Sequence, residues 1–294
     1  MKKYICFLSI IFVCGFLYAQ PNLSQEANTS VLSEGSLYYD FATLNMKAKS
    51  NGQNYKIYLA IPKKSSDYNV VYMLDGNAVL DVLNEELLKK ANAANLLIVM
   101  IGYVTKARFD TIARTYDYTP LVPSESDLED VQNDYERVGG AELFLEFIEN
   151  ELKPKIAKTF KINSQKQILW GHSYGGLFVL YTLFTHPDYF QKYAAISPSL
   201  WWHNGYIKEV EATDLRYPTT LIVMAGDDET KYKSPQNMTK RAMMQGAIPK
   251  NAIKDMIFRL NKKTNLSAYQ ITLENLSHGE TFKASIGLLF DMIK

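Results

Sequence analysis

Cysteine is nearly absent from this chain. The two present, Cys6 and Cys14, both lie within the first nineteen residues. The following 275 residues carry no thiol, which excludes disulfides, a cysteine nucleophile and cysteine-ligated zinc or iron–sulfur sites from them. Histidine is sparse too, at four, so no transition-metal cluster is expected, and no organic cofactor is called for. Neither sign of charge dominates. With 32 basic and 31 acidic residues the net charge is +1, and nothing in that balance points to nucleic acid as a partner. Repeats, low-complexity tracts and interdomain linkers are missing. Gly139-Gly140 lacks the spacing of a phosphate-binding loop.

What is present is an ordinary globular composition, 47% hydrophobic and 21% charged, in a chain long enough to bury a large core. The first residues stand apart. Lys2 and Lys3 precede an apolar run, Ile5 to Leu17, and Leu17-Tyr18-Ala19 ends on a small residue. The run is short for a bilayer span, and the three parts together read as a secretory signal peptide over residues 1–19. An uncleaved N-terminal anchor is the alternative. A lipoprotein is disfavoured because Val13, not a small residue, precedes Cys14. Cleavage after Ala19 leaves 30 basic and 31 acidic residues and no membrane-inserting segment. The expected location is the periplasm of a Gram-negative cell, or the exterior of another.

Residues 20–36 read as a loose leader, and 37–294 as one domain. Tyr38 to Met46 and Asn54 to Ile61, joined around Asn51-Gly52, read as an antiparallel hairpin. Val70 to Leu74 and Leu96 to Ile101 are short, continuous apolar runs of the kind buried strands show. Gln167 to Trp170, Tyr193 to Ile196, Thr219 to Met224 and Tyr269 to Leu273 complete the strands. Helices are expected over Asn77 to Asn92, Ala141 to Ala157, Tyr174 to Thr185, residues 235–260 and Phe282 to Ile293. Residues 103–138 have poor periodicity and read as an insertion over a site. Alternating strands and helices predict an α/β fold with a mixed, mostly parallel sheet covered by helices on both faces.

The strongest local signal is Gly171-His172-Ser173-Tyr174-Gly175, a G-x-S-x-G nucleophile elbow with a strand before it and an apolar helix after it. A sharp turn there crowds the backbone, so Gly171 and Gly175 are expected to avoid Cβ clashes. The turn lifts Ser173 to the positive end of a helix. Serine needs a base. His172 adjoins it but is expected to point away from the reacting face. His186 precedes a proline at a helix end and reads as a cap. His278 follows the last strand, where an elbow architecture puts its histidine in the chain order Ser…acid…His, and His203 is held in reserve. The acid is expected after the strand Thr219 to Met224, in Asp227-Asp228-Glu229; Glu229 is preferred and Asp228 is the alternative. An oxyanion hole would draw one N–H from Tyr174 and one from Asn77, with Gly76 letting the backbone turn.

Val71-Tyr72-Met73-Leu74-Asp75-Gly76-Asn77, Tyr116-Asp117-Tyr118-Thr119-Pro120, the elbow, and Ser197-Pro198-Ser199-Leu200-Trp201-Trp202 together resemble the Putative esterase family of α/β-hydrolases. That family includes esterase D-like enzymes, feruloyl esterases and mycolyltransferases, and the branch most resembled is that of bacterial siderophore (enterobactin-type) esterases. The resemblance covers residues 36–293. It implies an α/β-hydrolase fold, with Ser173 and His278 catalytic and Gly76-Asn77 in the oxyanion loop. It aligns Gly226-x-x-Glu229 with the family's glycine-to-acid spacing, although a serine–histidine dyad remains open. It also marks Arg114 as a substrate-side candidate for an anionic group, against a structural pairing with Asp117. Trp201 and Trp202 are candidates for an aromatic wall, with one of the two expected in the core.

These readings converge on an exported serine esterase that forms an acyl-enzyme on Ser173 with a small-molecule ester, a siderophore trilactone among the candidates. A feruloyl or acetyl polysaccharide esterase and an acyltransferase are alternatives on the same machinery. A non-catalytic binding protein on a hydrolase scaffold is the alternative of another class.

Overall fold

The computed structural model describes residues 25–64, 67–122, 137–208, 210, 214–230 and 251–293. The expected signal peptide and the first part of the expected helix over 235–260 lie outside them. Eight strands form one sheet: β1 (Tyr39–Lys47), β2 (Asn54–Pro62), β3 (Tyr68–Met73), β4 (Leu96–Tyr103), β5 (Ile162–His172), β6 (Lys192–Ile196), β7 (Thr219–Gly226) and β8 (Leu266–Leu273). Their order is β1-β2-β4-β3-β5-β6-β7-β8. β2 runs antiparallel to β1 and β4, and every other pairing is parallel. This is the expected mixed, mostly parallel sheet.

The strand sequences follow their positions. β4 lies in the middle of the sheet and is buried at all of Leu96–Tyr103, so its apolar run is continuous. The edge strands β1 and β8 alternate between covered and exposed residues. Two apolar cores result, one on each face. The first packs α4 (Thr111–Tyr118), α5 (Ala141–Phe147), α6 (Lys153–Thr159), α7 (Tyr174–Thr185) and α8 (Ala252–Leu260). The second packs α2 (Gly76–Val82), α3 (Glu85–Ala93) and α9 (Glu280–Met292). Among the described residues, no helix is long and apolar enough to cross a membrane.

Four expectations change. The helix expected over Asn77 to Asn92 is two helices. Leu83 and Asn84 are extended, and the Asn84 side chain accepts from Leu87 N, so it caps α3 instead of continuing α2. The helix from Ala141 contains a wide turn, Ile148–Leu152, just ahead of Pro154. Proline offers no N–H and its ring crowds the carbonyl four residues back, and the extra residue in the turn accommodates both. The poorly periodic segment after Tyr103 holds α4, capped by Asp110, whose side chain accepts from Ala113 N. Finally, residues 25–36 of the expected loose leader are tied down. Ala27 N donates to Lys106 O at 2.8 Å, and Arg108 N to Gln25 O at 2.9 Å. Val31 and Leu32, in the short helix α1 (Val31–Glu34), pack on the second core.

Candidate active site

Ser173, Glu229, His278 and the Gly76-Asn77 loop gather at one end of the sheet, because the parallel strands deliver their C-terminal loops there. Ser173 is the single residue between β5 and α7, with φ 60° and ψ −115°, a conformation that costs a non-glycine residue energy. The tight elbow explains one expected glycine and not the other. A Cβ on Gly171 would come within 2.4 Å of Gly175 O. A Cβ on Gly175 would meet nothing closer than Leu74 Cδ1 at 3.4 Å, an ordinary contact. The second position that demands glycine is Gly176, where a Cβ would sit 2.8 Å from Ile196 O.

Ser173, His278 and Glu229 form a hydrogen-bonded row. His278 Nε2 lies 3.0 Å from Ser173 Oγ, and His278 Nδ1 lies 3.0 Å from Glu229 Oε2. His278 reaches the row from the loop between β8 and α9. Glu229 reaches it from the short 3-10 turn Asp227–Thr230 after β7. The other carboxylate oxygen, Oε1, accepts from Ser197 Oγ at 2.6 Å and from Gly226 N at 2.7 Å. Burial pushes the Glu229 carboxyl up, but the hydrogen bond and charge of His278, with the donors Ser197 and Gly226, outweigh it and leave the group below the usual carboxylate range. Neither neighbour takes this place: Asp227 Oδ1 accepts from Asn275 N at 2.7 Å, and it is Glu229, not Asp228, that meets His278. Chemically, the row lets His278 Nε2 take the Ser173 proton while Glu229 holds the imidazole in the Nδ1–H tautomer.

The remaining histidines sit elsewhere. His186 ends α7 and approaches Glu142 at 3.3 Å, and His203 packs its ring near Trp202 and Tyr206. His172 points behind the elbow, as expected of its position, but it reaches the loop of His278: its Nε2 is 2.8 Å from His278 O. Ser199 Oγ lies 3.3 Å from Ser173 Oγ. Ser197 and Ser199 enter the sequence reading only within a segment of the family resemblance, with no role of their own, and Thr281 and the contact of His172 do not enter it. The available signal was Ser197-Pro198-Ser199, two small hydroxyls directly after a buried strand.

The loop Asp75-Gly76-Asn77 abuts the elbow because β3 and β5 are neighbours, with Leu74 N donating to Trp170 O at 3.1 Å. Here the left-handed residue is Asp75 (φ 53°), not Gly76. Gly76 is required for a different reason: a Cβ there would lie 2.7 Å from the backbone of β4. Asn77 is 2% exposed, with its side chain locked to Tyr103 and Thr105. Its N–H belongs to the first turn of α2, and that of Tyr174 to the first turn of α7. First-turn N–H groups point away from the helix at its positive end.

Arg114 pairs with Asp75, not Asp117. Its Nε and Nη2 donate to the two carboxylate oxygens at 2.8 and 2.9 Å, and its guanidinium lies 5.7 Å from the Tyr174 ring. Burial works against the Arg114 charge, and the adjacent Asp75 carboxylate more than compensates. Asp117 instead accepts from the hydroxyls of Tyr55 and Tyr103. Both tryptophans are buried, at 5% and 4% exposure, so the expectation of only one in the core is corrected. They do diverge: Trp201 leans on Tyr174, and Trp202 packs toward His203 and Tyr206.

Comparison with known proteins fits this geometry. The family model described as "Putative esterase" matches residues 48–256. The apo-salmochelin esterase of Escherichia coli O6:H1 is 32% identical over 277 residues, covering 92% of this chain and 83% of the relative. The ferri-bacillibactin esterase BesA of Bacillus subtilis is 33% identical over 218 residues, covering 68% of this chain and 74% of the relative. The solved enterobactin and salmochelin hydrolase IroE superposes with a TM-score of 0.66 at 30% identity, over 90% of this chain and 98% of its own. With a G-x-S-x-G elbow on such a sheet and a family match over most of its length, this chain belongs to the Putative esterase family of α/β-hydrolases and is a carboxylic-ester hydrolase.

Proposed function

We propose that this protein is exported and hydrolyses the ester bonds of a siderophore lactone through an acyl-enzyme on Ser173. The observation that carries the mechanism is the row Ser173–His278–Glu229, with both links at 3.0 Å. Ser173 Oγ attacks the ester carbonyl carbon as His278 Nε2 takes its proton. The carbonyl oxygen becomes an anion, held by the N–H groups of Tyr174 and Asn77 at two helix starts. Glu229 stabilises the imidazolium. His278 then gives the proton to the departing alcohol, which leaves the acyl group on Ser173. Water enters, loses a proton to His278 and attacks the acyl carbon. The acid departs as Ser173 recovers its proton. Every step is a proton or acyl transfer by these side chains and water. The siderophore substrate rests on the relatives, whose names specify salmochelin, bacillibactin and enterobactin. Export rests on the sequence pattern of residues 1–19.

The test compares wild type with Ser173→Ala and His278→Ala on the enterobactin trilactone and on p-nitrophenyl butyrate. Wild type is expected to open the trilactone, with both variants slower by at least about 1,000-fold. Turnover that survives Ser173→Ala sinks the mechanism. Hydrolysis of the aryl ester with the trilactone left intact sinks the substrate. N-terminal sequencing of protein made in its own host is expected to begin at Gln20, and a retained Met1 refutes export by cleavage.

A further inference from the structure

We infer that His172, Thr281 and Ser197 form a one-way hydrogen-bond chain that positions Glu229 and the His278 loop, with His172 held as its Nε2–H tautomer; this rests on the reaction proposed above. All three side chains are buried, at 6%, 0% and 4% exposure. They come from three different places: the end of β5, the first turn of α9 and the residue after β6.

Counting protons fixes the direction. A carboxylate only accepts, so Ser197 Oγ–H donates to Glu229 Oε1. Serine has one hydroxyl proton. In its 2.8 Å contact with Thr281 Oγ1, therefore, Ser197 accepts and Thr281 donates. Thr281 also donates to the His278 carbonyl oxygen at 2.8 Å, so its single proton is shared between that oxygen and Ser197. The same carbonyl lies 2.8 Å from His172 Nε2, and since a carbonyl oxygen only accepts, that contact requires the proton to sit on Nε2. A bare Nε2 there would set a lone pair against a carbonyl oxygen. The same Nε2–H lies 3.2 Å from Thr281 Oγ1, which is left with acceptor capacity on that side.

Two consequences bear on the reaction. Oε1 of Glu229 is saturated by Ser197 and Gly226, so Oε2 alone faces His278 Nδ1. The main chain of His278 is held by the ring of His172, which packs between the His278 ring at 4.7 Å and Phe282 at 5.4 Å. Ser197 keeps φ at 42°, unusual for a residue with a side chain, and this conformation accompanies the aim of its hydroxyl at the acid. None of the three is placed to touch the ester. They are positioning residues.

The first measurement needs no variant. Nitrogen-15 NMR of histidine-labelled wild-type protein is expected to show His172 neutral with its proton on Nε2, and a proton on Nδ1 with Nε2 bare overturns the inference. The second is kinetic, on p-nitrophenyl butyrate. Thr281→Val is expected to lower kcat about tenfold while KM changes less than about twofold, and Thr281→Ser to recover most of the loss. A folded Thr281→Val enzyme with kcat within about twofold of wild type overturns it too. Should that variant fail to fold, the tautomer decides. Failure of the parent reaction shows separately, as turnover that survives Ser173→Ala.

Discussion

Arg114 keeps a charge in a site where its side chain is only 12% exposed because Asp75, at 1%, lies flat against its fork. Asp75 is also the left-handed N-cap of α2, and its N–H donates to the Tyr118 hydroxyl at 3.0 Å. The guanidinium thus braces the turn that carries the Asn77 N–H, and so the oxyanion loop in the reaction proposed above. Replacing Arg114 by Ala strands a buried carboxylate, and about 3–5 kcal/mol of stability should be lost in urea titrations. Arg114→Lys keeps the charge but not the two-point grip. That variant should fold, with kcat on p-nitrophenyl butyrate reduced about tenfold and KM little changed. A raised KM with kcat intact would instead put Arg114 on the substrate side.

At the scale of elements, the elbow's glycines have unequal tasks. Gly176 faces backbone, Ile196 O and Pro198 Cα, neither of which can move aside. Gly176→Ala should lose about 1–3 kcal/mol by overpacking, whereas Gly175→Ala should lose little, since alanine favours a helix and its Cβ has room. Equal losses in the two variants would refute this division. The motif pattern does not reveal it, because glycine spacing records the turn and not the neighbours supplied by β6. Helix boundaries tell a similar story. The extent of α7 reads directly, as an apolar run from Tyr174 to Thr185 stopped by His186-Pro187. The break between α2 and α3 rests on one Asn84 cap, and Asn84→Ala should cost about 1 kcal/mol in thermal unfolding.

Across the whole molecule, Asp117 joins distant parts of the chain. It lies on α4 and accepts from Tyr55 of β2 at 2.9 Å and Tyr103 of β4 at 3.0 Å. Burial pushes its carboxyl up to about 7, against the opposing pull of the two tyrosine hydrogen bonds. A carboxyl whose folded value is raised above about 3.9 favours the fold while protonated, so its contribution is complete below about pH 4 and fades as pH rises toward 7. Asp117→Asn removes that titration. Wild type should therefore lose thermal stability between about pH 4 and 7 relative to Asp117→Asn, and parallel curves would show that Asp117 does not titrate there. In the sequence Asp117 stood only within Tyr116-Asp117-Tyr118-Thr119-Pro120 and as a candidate partner of Arg114. Its partners are 62 and 14 residues away, beyond any local pattern.

By itself, the sequence determined the alternation that builds the sheet, the elbow at Ser173, the histidine after the last strand and the three carboxylates after β7. Each is a local property: an apolar period, a glycine spacing, or an order along the chain. The tertiary structure decided which carboxylate meets His278, which acid Arg114 grips, that both tryptophans are buried, and that His172 supports the site from behind. Those are choices among chemically similar side chains. They depend on distances of a few ångströms between segments that meet only when β3, β5, β6 and β7 lie side by side.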